Sequence, residues 1–214
     1  MLELITATCR ALACDAKLAV LYQLRTGEEL AATEIAVRVG VPLDHLGHHL
    51  ARLAMVGLVS RRRSGRKVLY GLADGASARF NAVSPLRHAL AEPQWATKRW
   101  REKSILHLSS PLVTRLSRVT QRAMDVVFDA ATAFGNVRRL QLLRVLFEGG
   151  QCDPAAAVSE LRMSPLAFAR HIEKLESRGY VRDQRAAGWS LAARPRTAFH
   201  GALLSEVGAA LALP

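Results

Sequence analysis

Residues 43–72 read LDHLGHHLARLAMVGLVSRRRSGRKVLYGL, and the period of the stretch changes half-way along. In the first part Leu46, Leu50 and Leu53 return at three- and four-residue spacing, as a helix with one apolar face requires. Asp44, His45, His48, His49 and Arg52 are left on its other side, and Gly57 ends it. From Leu58 to Arg63 and from Lys67 to Leu72 the pattern alternates, with Ser64-Gly65-Arg66 as the corner between. That reads as a β-hairpin with a basic tip.

Working back from this stretch, Leu18, Leu21 and Leu24 give a helix over Asp15 to Leu24, which Gly27 stops. Ala31 to Val39 forms a short helix burying Ile35 and Val39, and Gly40-Val41-Pro42 supplies the turn, its glycine free to take positive φ. Short helix, tight turn, longer helix and basic hairpin together make a winged helix-turn-helix. In that arrangement the third helix enters the major groove with Asp44, His45, His48, His49 and Arg52. Arg61, Arg62, Arg63, Arg66 and Lys67 of the wing reach phosphates or the minor groove.

The pattern occurs a second time. Residues 12–63 return as residues 134–185, shifted by 122 with no gap, so that Leu18, Leu21, Gly27, His49, Leu53, Gly57 and Val59 meet Leu140, Leu143, Gly149, His171, Leu175, Gly179 and Val181. A period this long predicts two copies of a whole domain rather than a solenoid. Helices are expected over Arg138 to Phe147, Ala155 to Leu161 and Pro165 to Ser177, the last burying Phe168, Ile172 and Leu175. Arg170, His171 and Lys174 take the outward places of His48, His49 and Arg52. The second hairpin, Tyr180 to Arg185 and Gly188 to Ala192, is three residues shorter, with Asp183 and Gln184 where Arg61 and Arg62 stand. The second copy is therefore expected to be the weaker DNA binder. The fold class is mainly α with small β-hairpin wings: two tandem winged helix-turn-helix domains, residues 1–75 and 121–214, joined by a helical linker over 76–120.

His48-His49-Leu50, Leu53, Gly57-Leu58-Val59, Arg63, Gly65-Arg66 and Tyr70 resemble the recognition helix and wing of ArsR-type bacterial transcriptional repressors. In the second copy Phe134-Gly135-Asn136-Val137-Arg138-Arg139-Leu140, followed by Leu143 and Leu146, is similar to the opening helix of that family. The resemblance implies a sequence-specific DNA-binding regulator, most often a repressor. Metal-sensing members often carry a cysteine pair in the helix before the turn; here that helix, Ala31 to Val39, has no cysteine, so the resemblance supports no metal site.

Charge points the same way. Thirty Lys and Arg against 18 Asp and Glu in 214 residues give a formal +12, which attracts polyanions and makes double-stranded DNA the leading partner. Cys9, Cys14 and Cys152 show no disulfide framework, and neither a signal peptide nor a long apolar run is seen, so a cytoplasmic protein without a membrane partner is expected. Cys9 and Cys14 read as small hydrophobes, or as a redox pair if the first helix breaks between them. His45, His48 and His49 share an arc but lack a nearby carboxylate or thiolate cluster, so no metal is assigned. With no phosphate-binding glycine loop or nucleophile elbow, neither catalytic residues nor a cofactor are expected.

Three further stretches remain. Pro85, Pro93 and Pro111 break the connection into short helical pieces, one carrying Trp95, Lys98, Arg99, Trp100, Arg101 and Lys103, either a nucleic-acid contact or a core cover with cationic heads in solvent. Leu112, Leu116, Val119, Ala123, Val126, Ala130 and Ala133 form a four-three seam suited to pairing between chains, pairing between the copies, or covering the second core. Phe199, Leu203, Val207 and Leu211 mark a C-terminal helix for the same purpose. A homodimer or an intramolecular pseudo-dimer would then form through helices 98–108, 112–134 and 197–211. The rival reading is a winged-helix assembly or architectural protein of the chromosome-organisation or replication-initiation type.

Overall fold

The computed structural model describes residues 1–75, 80–91, 118–185 and 188–212, mainly helical with two small antiparallel sheets. The first half runs α1 (Leu2–Leu12), α2 (Asp15–Gln23), β1 (Leu30–Ala31), α3 (Ala32–Val39), α4 (Leu43–Met55), β2 (Val59–Ser64), β3 (Lys67–Leu72) and α5 (Val83–Ala91). The second runs α6 (Arg118–Phe134), α7 (Val137–Gly149), β4 (Gln151–Cys152), α8 (Pro154–Glu160), α9 (Pro165–Ser177), β5 (Val181–Asp183), β6 (Trp189–Leu191) and α10 (Ala198–Ala212). Helices α4 and α9 stand in the same register under the 122-residue shift at both ends.

The two halves start their helices differently. In the second, side chains satisfy the free N–H groups: Asn136 Oδ1 accepts from the N–H of Arg138 and Arg139, Asp153 from Ala156, and Ser164 from Ala167. Pro154 and Pro165 then occupy first turns where no N–H is needed. In the first half, α2 and α4 follow Cys14 and Pro42 without a side-chain cap, and α3 is held by Glu34, which accepts from the Ala31 N–H at 2.7 Å.

Both hairpins are as the alternation predicts, paired from Val59↔Leu72 to Ser64↔Lys67 and from Val181↔Leu191 to Asp183↔Trp189, the second the shorter. The short strands β1 and β4 are not legible in the sequence, because two residues carry no period. Each adds an outer strand, giving sheet orders β1-β3-β2 and β4-β6-β5. Gly188 is built around β4: its φ is +76°, and a Cβ there would lie 2.5 Å from the Cys152 carbonyl oxygen. Left-handed backbone costs an L-residue about 1–2 kcal/mol, and the clash is with main chain that no rotamer relieves. Gly188→Ala is expected to lower the unfolding free energy by at least that much, read as a lower urea midpoint, and to expose the β4 edge to hydrogen exchange; an unchanged midpoint would count against this packing.

One continuous apolar cluster runs through both halves, from Ile5, Leu12, Leu21 and Leu50 to Val127, Phe134, Leu143 and Leu203. Helix α1, which periodicity alone does not delimit, packs along α6 and touches α7, while α5 packs on α6 and α10. Ala123, Val126, Ala130 and Ala133 of the seam are buried within the chain. Leu112, Leu116, the Trp95–Lys103 cluster and the 98–108 helix lie outside the described residues, as does the Val119 side chain.

A charged cluster sits under α9. Asp129 of α6, 4% exposed, receives Arg178 from the end of α9 and lies 3.7 Å from Arg196 and 3.3 Å from His200 Nε2 of α10. Thr197 Oγ1 is 2.8 Å from His200 Nδ1, and the Tyr180 hydroxyl donates to the Ala130 carbonyl. Burial lowers the His200 pKa from 6.5, opposed by the hydrogen bond with Asp129. Burial also lowers His49 and His171. The unfolded chain therefore takes up protons that the folded chain resists. Stability is expected to be fully present above about pH 6.5 and to fall as the pH drops through the lowered values, read as urea midpoints across that window.

Candidate nucleic-acid interface

Helix α4 presents Asp44, His45, His48 and Arg52 to solvent while Leu46, Leu50 and Leu53 anchor it in the core. His45 Nε2 stands 4.0 Å from Asp44 Oδ2. His49 is only half-exposed. Burial first, then Lys17 of α2, then His45 and His48 lower its pKa. It therefore sits at the flank of the outward face, within reach of the Lys17 charge.

The wing carries Arg61, Arg62, Arg63, Arg66 and Lys67, all exposed. Side chains alternate along β2, so Arg61 and Arg63 share one face and Arg62 takes the other. There Arg62 is engaged: its Nε donates to Glu29 Oε2 at 3.1 Å and its Nη2 donates to the same oxygen. That hydrogen bond holds the Glu29 carboxyl below its ordinary value. Gly71 makes the crossing feasible, since a Cβ on it would lie 3.3 Å from Glu29 Cγ and 3.4 Å from Ser60 Oγ. The sequence pattern groups Arg62 with the free wing cations; its charge is instead matched by Glu29. Arg61, Arg63, Arg66 and Lys67 have no acidic partner among the described residues.

In the second half α9 presents Arg170 to solvent, with His171 and Lys174 half-buried. Burial, then Arg139 and Arg138, lowers the His171 pKa; burial, then Arg178 and Arg139, lowers that of Lys174, with Asp129 opposing. Lys17 and Arg139 are equivalent under the shift of 122, so each half sets a histidine of its outward-facing helix beside a cation of an earlier helix. Lys17 does not stand out in the sequence by itself; the repeat offset pairing it with Arg139 is the signal that finds it. Arg139 also donates to the Thr132 carbonyl at 2.9 Å, so its guanidinium braces the α6–α7 corner. On the short hairpin, Asp183 Oδ1 accepts from the Arg185 N–H at 2.7 Å.

Other candidates resolve simply. Helix α1 ends at Leu12, so the chain does break between Cys9 and Cys14. Cys9 is fully buried, which pushes its thiol pKa far up, and it packs as a small apolar side chain. Among the described residues no group of three His, Cys, Asp or Glu side chains could hold a metal ion, and no helix is long and apolar enough to cross a membrane.

The chain is 37% identical over 70 residues to the HTH-type transcriptional regulator NmtR of Mycobacterium tuberculosis, a match taking in 33% of this chain and 58% of that protein. It is 40% identical over 65 residues to the HTH-type transcriptional repressor SmtB of the same species, covering 30% of this chain and 47% of the repressor. The HTH-type transcriptional regulator KmtR, also from that species, is 36% identical over 69 residues, 32% of this chain and 52% of its own. These relatives are helix-turn-helix regulators of the ArsR/SmtB family. The chain spans about half the length of the curated relatives it matches. No family model matches it.

Proposed function

We propose that the protein is a sequence-specific DNA-binding transcriptional regulator of the repressor kind, in which two winged helix-turn-helix units on one chain stand in for the two subunits of a dimer. The units are residues 1–75 and 121–214, with 76–120 between them. The observation that carries the reading is that like packs on like. Helix α1 lies against α6, whose last eleven residues are its counterpart under the 122-residue shift, and α5 lies against α10, each the helix that follows its wing. Elements meeting their own counterparts are what two-fold packing would give. Such packing aims two reading helices at half-sites about one turn, roughly 34 Å, apart. The similarity to helix-turn-helix regulators and the formal charge of +12 support the same partner.

In this reading α4 reads bases with Asp44, His45, His48 and Arg52, while His49 and Lys17 approach a phosphate. Arg61, Arg63, Arg66 and Lys67 hold the backbone, and Arg62 joins them when released from Glu29. The second half contributes Arg170, His171 and Lys174. The two faces differ, so the site is an imperfect palindrome.

The test is binding of the full chain to DNA from upstream of its own gene and to a scrambled duplex, over a salt series. Preference that survives near-physiological salt supports a regulator; equal binding that fades with salt leaves charge without readout. A further outcome follows from the wing: Glu29→Gln frees Arg62, so affinity should rise and the salt slope should steepen by about one counterion. The assembly-protein reading draws on the shortened second wing, but the described part of the seam that favoured it, Ala123, Val126, Ala130 and Ala133, is buried inside the chain.

A further inference from the structure

We infer that the two halves read chemically different half-sites, and that the residue pairs Asp44/His48 and Leu166/Arg170 set the difference. The inference rests on the reading of both α4 and α9 as DNA readers. Residues four apart on a helix advance by about 40°, so Asp44, His48 and Arg52 form one slanting stripe on the outward side of α4. Leu166, Arg170 and Lys174 form the same stripe in the same register on α9. The third position is a cation in both. The first two positions are not alike.

On α9 the stripe begins with Leu166, 61% exposed at the first turn and touching water rather than core. An isolated exposed leucine is ordinary on a surface; one that shares a stripe with Arg170 offers a methyl-sized apolar contact next to a guanidinium fork. In the major groove that pair matches the 5-methyl of thymine beside the O6 and N7 acceptors of guanine. Ala167, where α4 has His45, adds no polar group to the edge. On α4 the stripe begins instead with Asp44, whose side chain is 79% exposed. A carboxylate facing DNA is repelled by phosphates and by the N7 and O6 acceptors of guanine, and is tolerated where a base presents an amino donor. Adenine N6 and cytosine N4 are such donors, and only the cytosine amino group has no N7 acceptor beside it on the same base to repel the carboxylate. His45 and His48, both exposed, follow it. The first half-site is therefore cytosine-marked, and the second carries adjacent thymine and guanine.

Each well-placed base contact of this kind is worth about 5- to 150-fold in discrimination. The experiment is selection from random duplex DNA with the full chain at near-physiological salt, repeated with two variants that make the halves alike. One carries Asp44→Leu, His45→Ala and His48→Arg; the other carries Leu166→Asp, Ala167→His and Arg170→His. Asp44, His45, His48, Leu166 and Arg170 are exposed and Ala167 is half-buried, so the first variant, all of whose positions are exposed, guards against a folding defect in the second. The expected result is a two-part site with unlike halves for the native chain. The first variant should then select an inverted repeat of the thymine–guanine half, and the second an inverted repeat of the cytosine half. An inverted repeat selected by the native chain, or variants that leave the unlike halves unchanged, would overturn the inference while leaving DNA reading intact. Failure of the native chain to enrich any sequence would bring down the DNA-reading premise itself, and this inference with it.

Discussion

Arg61→Glu together with Arg63→Glu is expected to remove specific DNA binding at near-physiological salt and to leave the unfolding midpoint where it was. The two side chains share the open face of β2 and have no acidic partner among the described residues, so what their replacement gives up is the exposed hydrogen bond that Arg63 Nε donates to the Gly65 carbonyl at 3.3 Å, within the hairpin tip itself. Taking away one phosphate-binding cation lowers the salt slope by about 0.9; for two such cations at physiological salt that alone weakens binding roughly 30-fold, and reversed charge adds repulsion. Arg62→Glu is the instructive control. It places a second carboxylate beside Glu29 instead of removing a free cation, so its effect on the fold should exceed that of either neighbour. Retained affinity in the Arg61/Arg63 variant would rule out the wing as a DNA-binding element.

Asp129→Ala is expected to cost about 3–5 kcal/mol of unfolding free energy, the range for removing one partner of a buried ion pair. Arg178 is 8% exposed and would be left facing Arg139 and Lys174, whose charges already act on one another. Against a typical total of about 5–15 kcal/mol, such a change takes a large share of the stability. Adding Arg178→Met to Asp129→Ala should recover much of it, because the stranded charge is removed along with its partner. Urea unfolding of the native chain, the single variant and the double variant separates these outcomes. A single-variant change below about 1 kcal/mol would mean that the cluster is already hydrated.

Much of this architecture is legible in the residues because periodicity reports burial. Leu46, Leu50 and Leu53, with Phe168, Ile172 and Leu175 one repeat later, mark the buried faces of α4 and α9. The change from helical to alternating spacing after Gly57 defines the first wing. What escapes such a reading is of two kinds. Strands β1 and β4 are too short for any period, and their places are fixed by pairing with strands some forty residues away. Helix α1 is hard to see although the same offset extends to it, with Glu3 meeting Asp125 and Ala11 meeting Ala133, because the other identities between the two segments fade. In the candidate interface, exposure of Asp44, His48 and Arg170 follows from helical phase, whereas the engagement of Arg62 does not. It depends on Glu29 crossing over Gly71, an interaction between residues 33 positions apart.

The packing of α1 on α6 has a consequence for how the molecule can change over generations. A symmetric pair of identical subunits must accept every substitution twice, once on each side of its axis. Here the two sides are written by separate codons. Asp129 occupies a place that Ala7 fills in the other half, and the ionic cluster it anchors stands on one side alone. If the two halves act as the proposed pair, the covalent link would also take subunit dissociation out of the equilibrium, holding both halves together at any dilution.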